Sequence, residues 1–179
     1  STPLSEEMVK ILNQQVALEA VSSAKYLAAA AWCGAQGYDN SSEFFFNQAE
    51  EERMHMLKIF RYICDLGGKA ISPAVGDVNV KFSSLKEVFE FTLDSEITVS
   101  ESINNIVKQA REENDYPSEN FIQWFVEEQI EEEFIARRAV ELFDLMGEDK
   151  LAIFMIDERI PKIAFSGHTS NPTAVSYTH

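Results

Sequence analysis

"AEEERMHMLKIF", residues 49–60, places three consecutive glutamates ahead of His55, the only histidine before residue 168. Surface helices are rich in glutamate, so the acidic run alone says little. What matters is the face on which Glu52 and His55, three residues apart, come to lie. Phe45, Ala49, Met56, Ile59 and Ile63 recur around them at spacings of three and four. That puts Glu52 on the apolar stripe of a helix and His55 one step round the same face. A carboxylate in that position has to be neutralised.

Helical periodicity extends outward over nearly the whole chain, and no strand pattern competes with it. The first segment runs from about Ser5 to Gly34 and gives way to the turn-forming "GAQGYDNSS". The second, from about Ser42 to Leu66, contains the opening stretch and stops at Gly67–Gly68, a C-terminal signal. The third opens at "SSLKE", where Ser84 and Glu87 form a capping-box pattern, and continues to about Glu113 before the breaker "NDYP". The fourth covers about Ser118 to Met146 and ends at Gly147. A shorter fifth runs from Glu148 to about Arg159 and is closed by Pro161. Residues 1–160 thus read as one domain, and 161–179 as a loosely ordered tail.

Helices of this size are about 40 Å long at ~1.5 Å per residue. The first–second and third–fourth connections are short, so each pair is an antiparallel hairpin. Residues 70–83 between them reach roughly 46–50 Å when extended, enough to travel the length of a bundle. The third helix can then run parallel to the second. The expected fold is all-α, a four-helix bundle with one long crossover and a short fifth C-terminal helix. The alternative is a short-looped bundle with a bulged excursion at 70–83.

The stripe of the first helix reads Leu12, Val16, Glu19, Ser23, Tyr26, Leu27, Ala30. That of the third reads Leu85, Phe89, Thr92, Glu96, Val99, Ile103, Ile106, and that of the fourth Phe121, Phe125, Gln129, Glu132, Ala136, Val140, Phe143. With Glu52 on the second, every helix carries a carboxylate near the middle of its apolar face. A single one is most often a tolerated rim residue. Four at matching depth would repel one another unless protonated or neutralised. No arginine or lysine shares the stripes at that level, which leaves protons or metal ions. Four carboxylates balance two divalent cations, and His55 adds a nitrogen ligand. Spacing gives an independent indication: 33 residues separate Glu19 from Glu52 and also Glu96 from Gln129. Two hairpins therefore present equivalent levels, Glu…Glu-x-x-His and Glu…Gln-x-x-Glu. Carboxylate-bridged di-iron bundles use Glu on two helices and Glu-x-x-His on the other two. Oxygen and nitrogen donors without thiolate suit iron or manganese better than structural zinc.

The formal charge of -15 fits a cation-handling role and argues against nucleic acid or anionic membrane as partner. No apolar run approaches a membrane span, and no signal-peptide pattern is visible. The chain reads as cytoplasmic, or as resident inside an organelle if a targeting segment preceded Ser1. Cys33 and Cys64 lack CxxC spacing and read as reduced, partly buried core thiols.

"LNQQVALE", "AWC", "AEEERMHM", "NDYP" and "FIQWFVEEQIEEE" resemble, in order and spacing, segments of the ferritins, specifically the non-haem bacterial type. The resemblance covers about residues 5–160. It implies a ferritin-like shell of twenty-four subunits that oxidises Fe(II) with dioxygen or peroxide and stores Fe(III) mineral inside. By position, Glu19, Glu52 and His55 correspond to the first ferroxidase site; Glu52, Glu96 and Glu132 correspond to the second, with Gln129 close by. A third iron site would use Glu51, Glu128 and Glu131 with Glu132; periodicity alone reads most of these as solvated surface. The family uses a tyrosine such as Tyr26 as an electron donor; the alternative is a core tyrosine satisfying its hydroxyl on a ligand carboxylate. Trp124 is expected to pack rather than to donate electrons. Arg53 stands where bacterioferritins, a related type, carry their haem-ligating methionine, so no haem is expected. Asp115 and Glu119 are candidates for an iron entry channel, although Ile122 a turn later is apolar. The runner-up function is a di-iron peroxidase or oxygenase acting on a substrate without storage.

Overall fold

The computed structural model describes residues 3–168. Helix α1 spans Glu6–Ala35, α2 Asp39–Asp65, α3 Leu85–Glu113, α4 Tyr116–Met146 and α5 Lys150–Arg159, followed by 3-10 turns at Ile160–Lys162 and Ser166–His168. Among the described residues there is no strand, and no helix is long and apolar enough to cross a membrane.

Two apolar clusters settle the topology. One joins Tyr26–Cys33 of α1 with Phe45 and Ala49 of α2, Leu85–Phe89 of α3 and Ala139–Phe143 of α4. The other joins Met8–Val16 of α1 with Ile59 and Ile63 of α2, Val99–Ala110 of α3 and Ile122 and Phe125 of α4. The late part of α1 therefore meets the early part of α2, and the early part of α3 meets the late part of α4. Both hairpins are antiparallel. Early α2 shares a cluster with early α3, so these two run parallel, as the long crossover at 66–84 requires. The short-looped alternative is excluded.

Local chemistry sets the helix ends. Ser5 Oγ accepts the Met8 N–H at 3.0 Å, and Ser84 Oγ accepts the Glu87 N–H at 3.1 Å. The expected capping box is displaced by one residue, because the Glu87 carboxylate reaches back to the hydroxyl and N–H of Ser83 rather than to Ser84. "NDYP" breaks the chain only at its first two residues. Asn114 takes a left-handed conformation at φ 56°, Asp115 accepts the Ser118 N–H at 3.1 Å, and α4 starts at Tyr116. Pro117 sits in the first turn, where its missing N–H breaks no helical bond.

Helix α2 begins at Asp39, three residues before the expected Ser42, because its cap comes from elsewhere. Tyr38 caps nothing with its side chain. Buried Asp157 of α5 accepts instead from the N–H groups of Ser41 at 2.8 Å and Asn40 at 3.3 Å, and from Asn40 Nδ2 at 3.1 Å. The negative carboxylate also complements the positive end of the helix dipole. Leu27, expected on the core stripe, is half exposed, because the buried face of α1 continues through Ser22, Tyr26, Ala29 and Cys33. Cys64, expected to be partly buried, is exposed, because the buried face of α2 ends with Ile59 and Ile63. Beyond α5, Ile160 and Ile163 pack on the same end of the bundle, and Phe165 lies 5.2 Å from Phe134. The remainder of the tail, 169–179, falls outside the described residues.

Candidate metal centre

Between the two apolar clusters lies a level where polar side chains collect. Glu19, Glu52, His55, Glu96, Gln129 and Glu132 are each at most 4% exposed. They arrive there because each occupies a core-facing position midway along a helix anchored by apolar residues at both ends. Glu19, Glu52 and His55 bring one ligand atom each within 4.8 Å of one another, and so do Glu52, Glu96 and Glu132. Glu52 belongs to both groups, the position that the family resemblance implies for it.

The two halves are prepared differently. His55 Nδ1 stands 3.9 Å from Glu19 Oε2 and 3.7 Å from Glu52 Oε1, too far for hydrogen bonds. Glu19 Oε2, both Glu52 oxygens and His55 Nδ1 are buried without a hydrogen-bond partner. Buried polar atoms normally have one, and these four orphans, on three neighbouring side chains, form a donor set that fits a cation. Glu96 and Glu132 are instead held. Tyr26 donates its hydroxyl to Glu96 Oε1, Gln129 Nε2 donates to Glu96 Oε2 at 3.0 Å, and Gln48 Nε2 donates to Glu132 Oε2 at 2.5 Å.

Without a cation, burial opposes the ionisation of these carboxyl groups. Burial, then the charge of Glu52, pushes Glu19 well above the usual carboxylate range. Burial likewise raises Glu52 to about 8; the neighbouring Glu19 carboxyl opposes the rise, while Glu96, Glu51 and Glu128 add to it. Glu132 is raised by burial and then by Glu96, Glu51 and Glu52. For Glu96, burial raises the pKa while the Tyr26 and Gln129 hydrogen bonds oppose it. A divalent cation competes with protons for these groups, which couples binding to pH.

Sequence reading missed a supporting layer. Gln15 Nε2 donates to Glu19 Oε1 at 2.9 Å, and Ser102 donates its hydroxyl to Gln15 Oε1. Gln48 supports Glu132 from across the bundle. Gln15 and Gln48 lie four residues before Glu19 and Glu52, so the helical repeat that buries the two glutamates carries both glutamines onto the same faces. That spacing was the available signal. Tyr26 donates its hydroxyl to Glu96, a contact compatible with both readings of this tyrosine. Trp124 is 38% exposed and packs at its ring: His55 meets it edge-on at 5.3 Å, and Lys58 Nζ lies 3.5 Å from its ring centroid.

Glu51 is on the exposed side of α2, yet its carboxyl lies against Glu132. Its pKa is raised first by partial burial, with Glu131 contributing. Glu128 stands close enough to act on both Glu52 and Lys58. Asp115 and Glu119 serve local roles, the first as cap of α4 and the second paired with Arg111 at 2.7 Å; Ile122 is fully buried.

A family model described as "Ferritin-like domain" matches residues 9–146. A probable bacterial non-heme ferritin-like protein of Haemophilus influenzae is 39% identical over 161 residues, which cover 90% of this chain and 98% of that one. A bacterial non-heme ferritin of Staphylococcus epidermidis is 33% identical, covering 91% and 98%. Among solved structures, an open pore ferritin from Archaeoglobus fulgidus superposes with a TM-score of 0.85 at 34% identity, covering 90% of this chain and 99% of that one. The matched residues include all four helices that carry the buried carboxylates and His55, and with the bundle topology they place this chain in the ferritin family.

Proposed function

We propose that the chain stores iron: copies of it assemble into a hollow shell, oxidise Fe(II) at the buried dinuclear centre and hold the Fe(III) product inside. One observation carries this reading: Glu52 is shared by two groups of buried ligand atoms, each within 4.8 Å, while its own oxygens have no hydrogen-bond partner. Glu19, Glu52 and His55 hold the first Fe(II). Glu52, Glu96 and Glu132 hold the second, with Gln129 alongside. Four carboxylates offset the four positive charges of two ferrous ions, and carboxylates favour the higher charge of Fe(III). Each ferrous ion gives up one electron; the pair reduces dioxygen to hydrogen peroxide with uptake of two protons. Glu51, Glu128 and Glu131, with Glu132, form a third iron site.

Assembly accounts for apolar surface that a lone subunit leaves in water. Leu145, Leu151, Phe154 and Met155 are 78%, 69%, 60% and 46% exposed, an arrangement that marks contact surfaces. The shell is proposed to contain twenty-four copies and to reside in the cytoplasm. Size-exclusion chromatography with light scattering tests this, because a peroxidase or oxygenase acting on a separate substrate would elute as a small oligomer. In stopped-flow oxidation of Fe(II), Glu52→Ala is expected to lose the rapid phase while the assembly stays intact. Equal initial rates in variant and parent would overturn the site.

A further inference from the structure

Gln129 is the one expected ligand that is neither acid nor imidazole, and its neighbours decide which end of its amide faces the centre. Ser100 lies one helical turn after Glu96 on α3, and its hydroxyl oxygen is 2.6 Å from Glu133 Oε2 on α4. A carboxylate only accepts, so the single hydroxyl proton of Ser100 goes to Glu133. Ser100 Oγ is then left as an acceptor, and Gln129 Nε2 donates to it at 3.2 Å. The same nitrogen donates to Glu96, at 3.0 Å to Oε2 and 3.2 Å to the backbone oxygen. Turned over, the amide would set its oxygen against the Ser100 lone pairs, the Glu96 carbonyl and the Glu96 carboxylate, all of them acceptors. Glu133 is itself steadied by Arg137 Nη2, 3.7 Å from its other oxygen and one turn along α4.

From this chain of donors and acceptors we infer that Ser100 and Glu133 are positioning residues for the second metal position. Acting through Gln129, they keep its amide N–H groups aimed at Glu96. With Tyr26 on the other oxygen, the carboxylate is held where it shares a cation with Glu52 and Glu132. Neither Ser100 nor Glu133 belongs to either ligand group. Gln129 in this arrangement acts through its amide N–H groups, which orient Glu96. The inference rests on the dinuclear reading above.

The test is titration of the metal-free assembled protein with Co(II) or Zn(II), followed by calorimetry and, for Co(II), by visible absorption. The parent is expected to bind two tight cations per chain. Ser100→Ala should weaken the second by about ten-fold, the usual scale for loss of an outer-shell partner, and leave the first unchanged. Ser100→Thr should restore it. In a Gln129→Ala background, Ser100→Ala should have no further effect, because its action passes through the amide. Where Ser100→Ala does not assemble, Glu133→Leu at the outer end of the path is expected to give the same loss, concentrated on the second cation. Identical titrations for parent and Ser100→Ala overturn the inference, as does equal weakening of both cations or a persisting effect without Gln129. A parent that binds fewer than two tight cations overturns the dinuclear reading itself, and the inference falls with it.

Discussion

Replacing Glu52 by glutamine should stabilise the metal-free protein while removing its function. The side chain is fully buried, with no hydrogen-bond partner for either oxygen and a pKa raised from 4.5 to about 8. The sign follows from proton counting. Between these values the folded chain keeps a proton that the unfolded chain has released, so stability falls as pH rises. The penalty is absent below about pH 4.5 and grows until pH passes about 8. From about pH 5.5 to 8, at roughly 1.36 kcal/mol per pH unit, the change is about 3 kcal/mol. For a chain of this size that corresponds to a fall in Tm on the order of 10 °C. Glu52→Gln carries no charge and should lose this part of the slope, so at pH 8 the metal-free variant melts above the parent. The assay is thermal unfolding of chelator-treated protein by circular dichroism at both pH values, with Zn(II) added in parallel samples. Zinc should raise the parent's Tm at pH 8 and do far less for the variant. Parent stability that stays flat or rises between the two pH values would refute the reasoning, as would an equal slope in the variant.

Tyr26→Phe removes the hydroxyl that Glu96 accepts; the second cation in a Co(II) titration should then bind more weakly while the assembly persists. Asp157→Ala leaves the first N–H groups of α2 without their cap and should cost about 1–2 kcal/mol, read as a Tm lowered by several degrees with Fe(II) oxidation unchanged. Cys33, fully buried and pushed up to about 12 by burial with some help from Asp157, should resist iodoacetamide in the native protein and react once unfolded in urea, as peptide mass spectrometry would show.

The centre was legible from the chain because burying charge is costly enough to leave a signature. Glu19, Glu52, Glu96 and Glu132 interrupt apolar stripes that otherwise run cleanly at helical spacing, and the equal separation in the two hairpins sets them at one level. The crossover could be read from length alone, since a span of 70–83 that reaches the far end of a bundle permits a parallel third helix. Such features depend on periodicity and reach, which are properties of the local chain. The start of α2 was not legible, because its cap is a carboxylate 116 residues away on another helix. Nor was the exposure of Leu27, one step off a stripe that Tyr26 and Ala30 continue.

For Glu52 and His55, the residues of the opening stretch, spacing established that they share a buried face and that something must balance their charge. It could not say that their half of the centre is left open while Glu96 and Glu132 are tied to Tyr26, Gln129 and Gln48. Hydrogen-bond partners are chosen across helices, by distances of about 3 Å between residues far apart in the chain. Only folding brings those residues together.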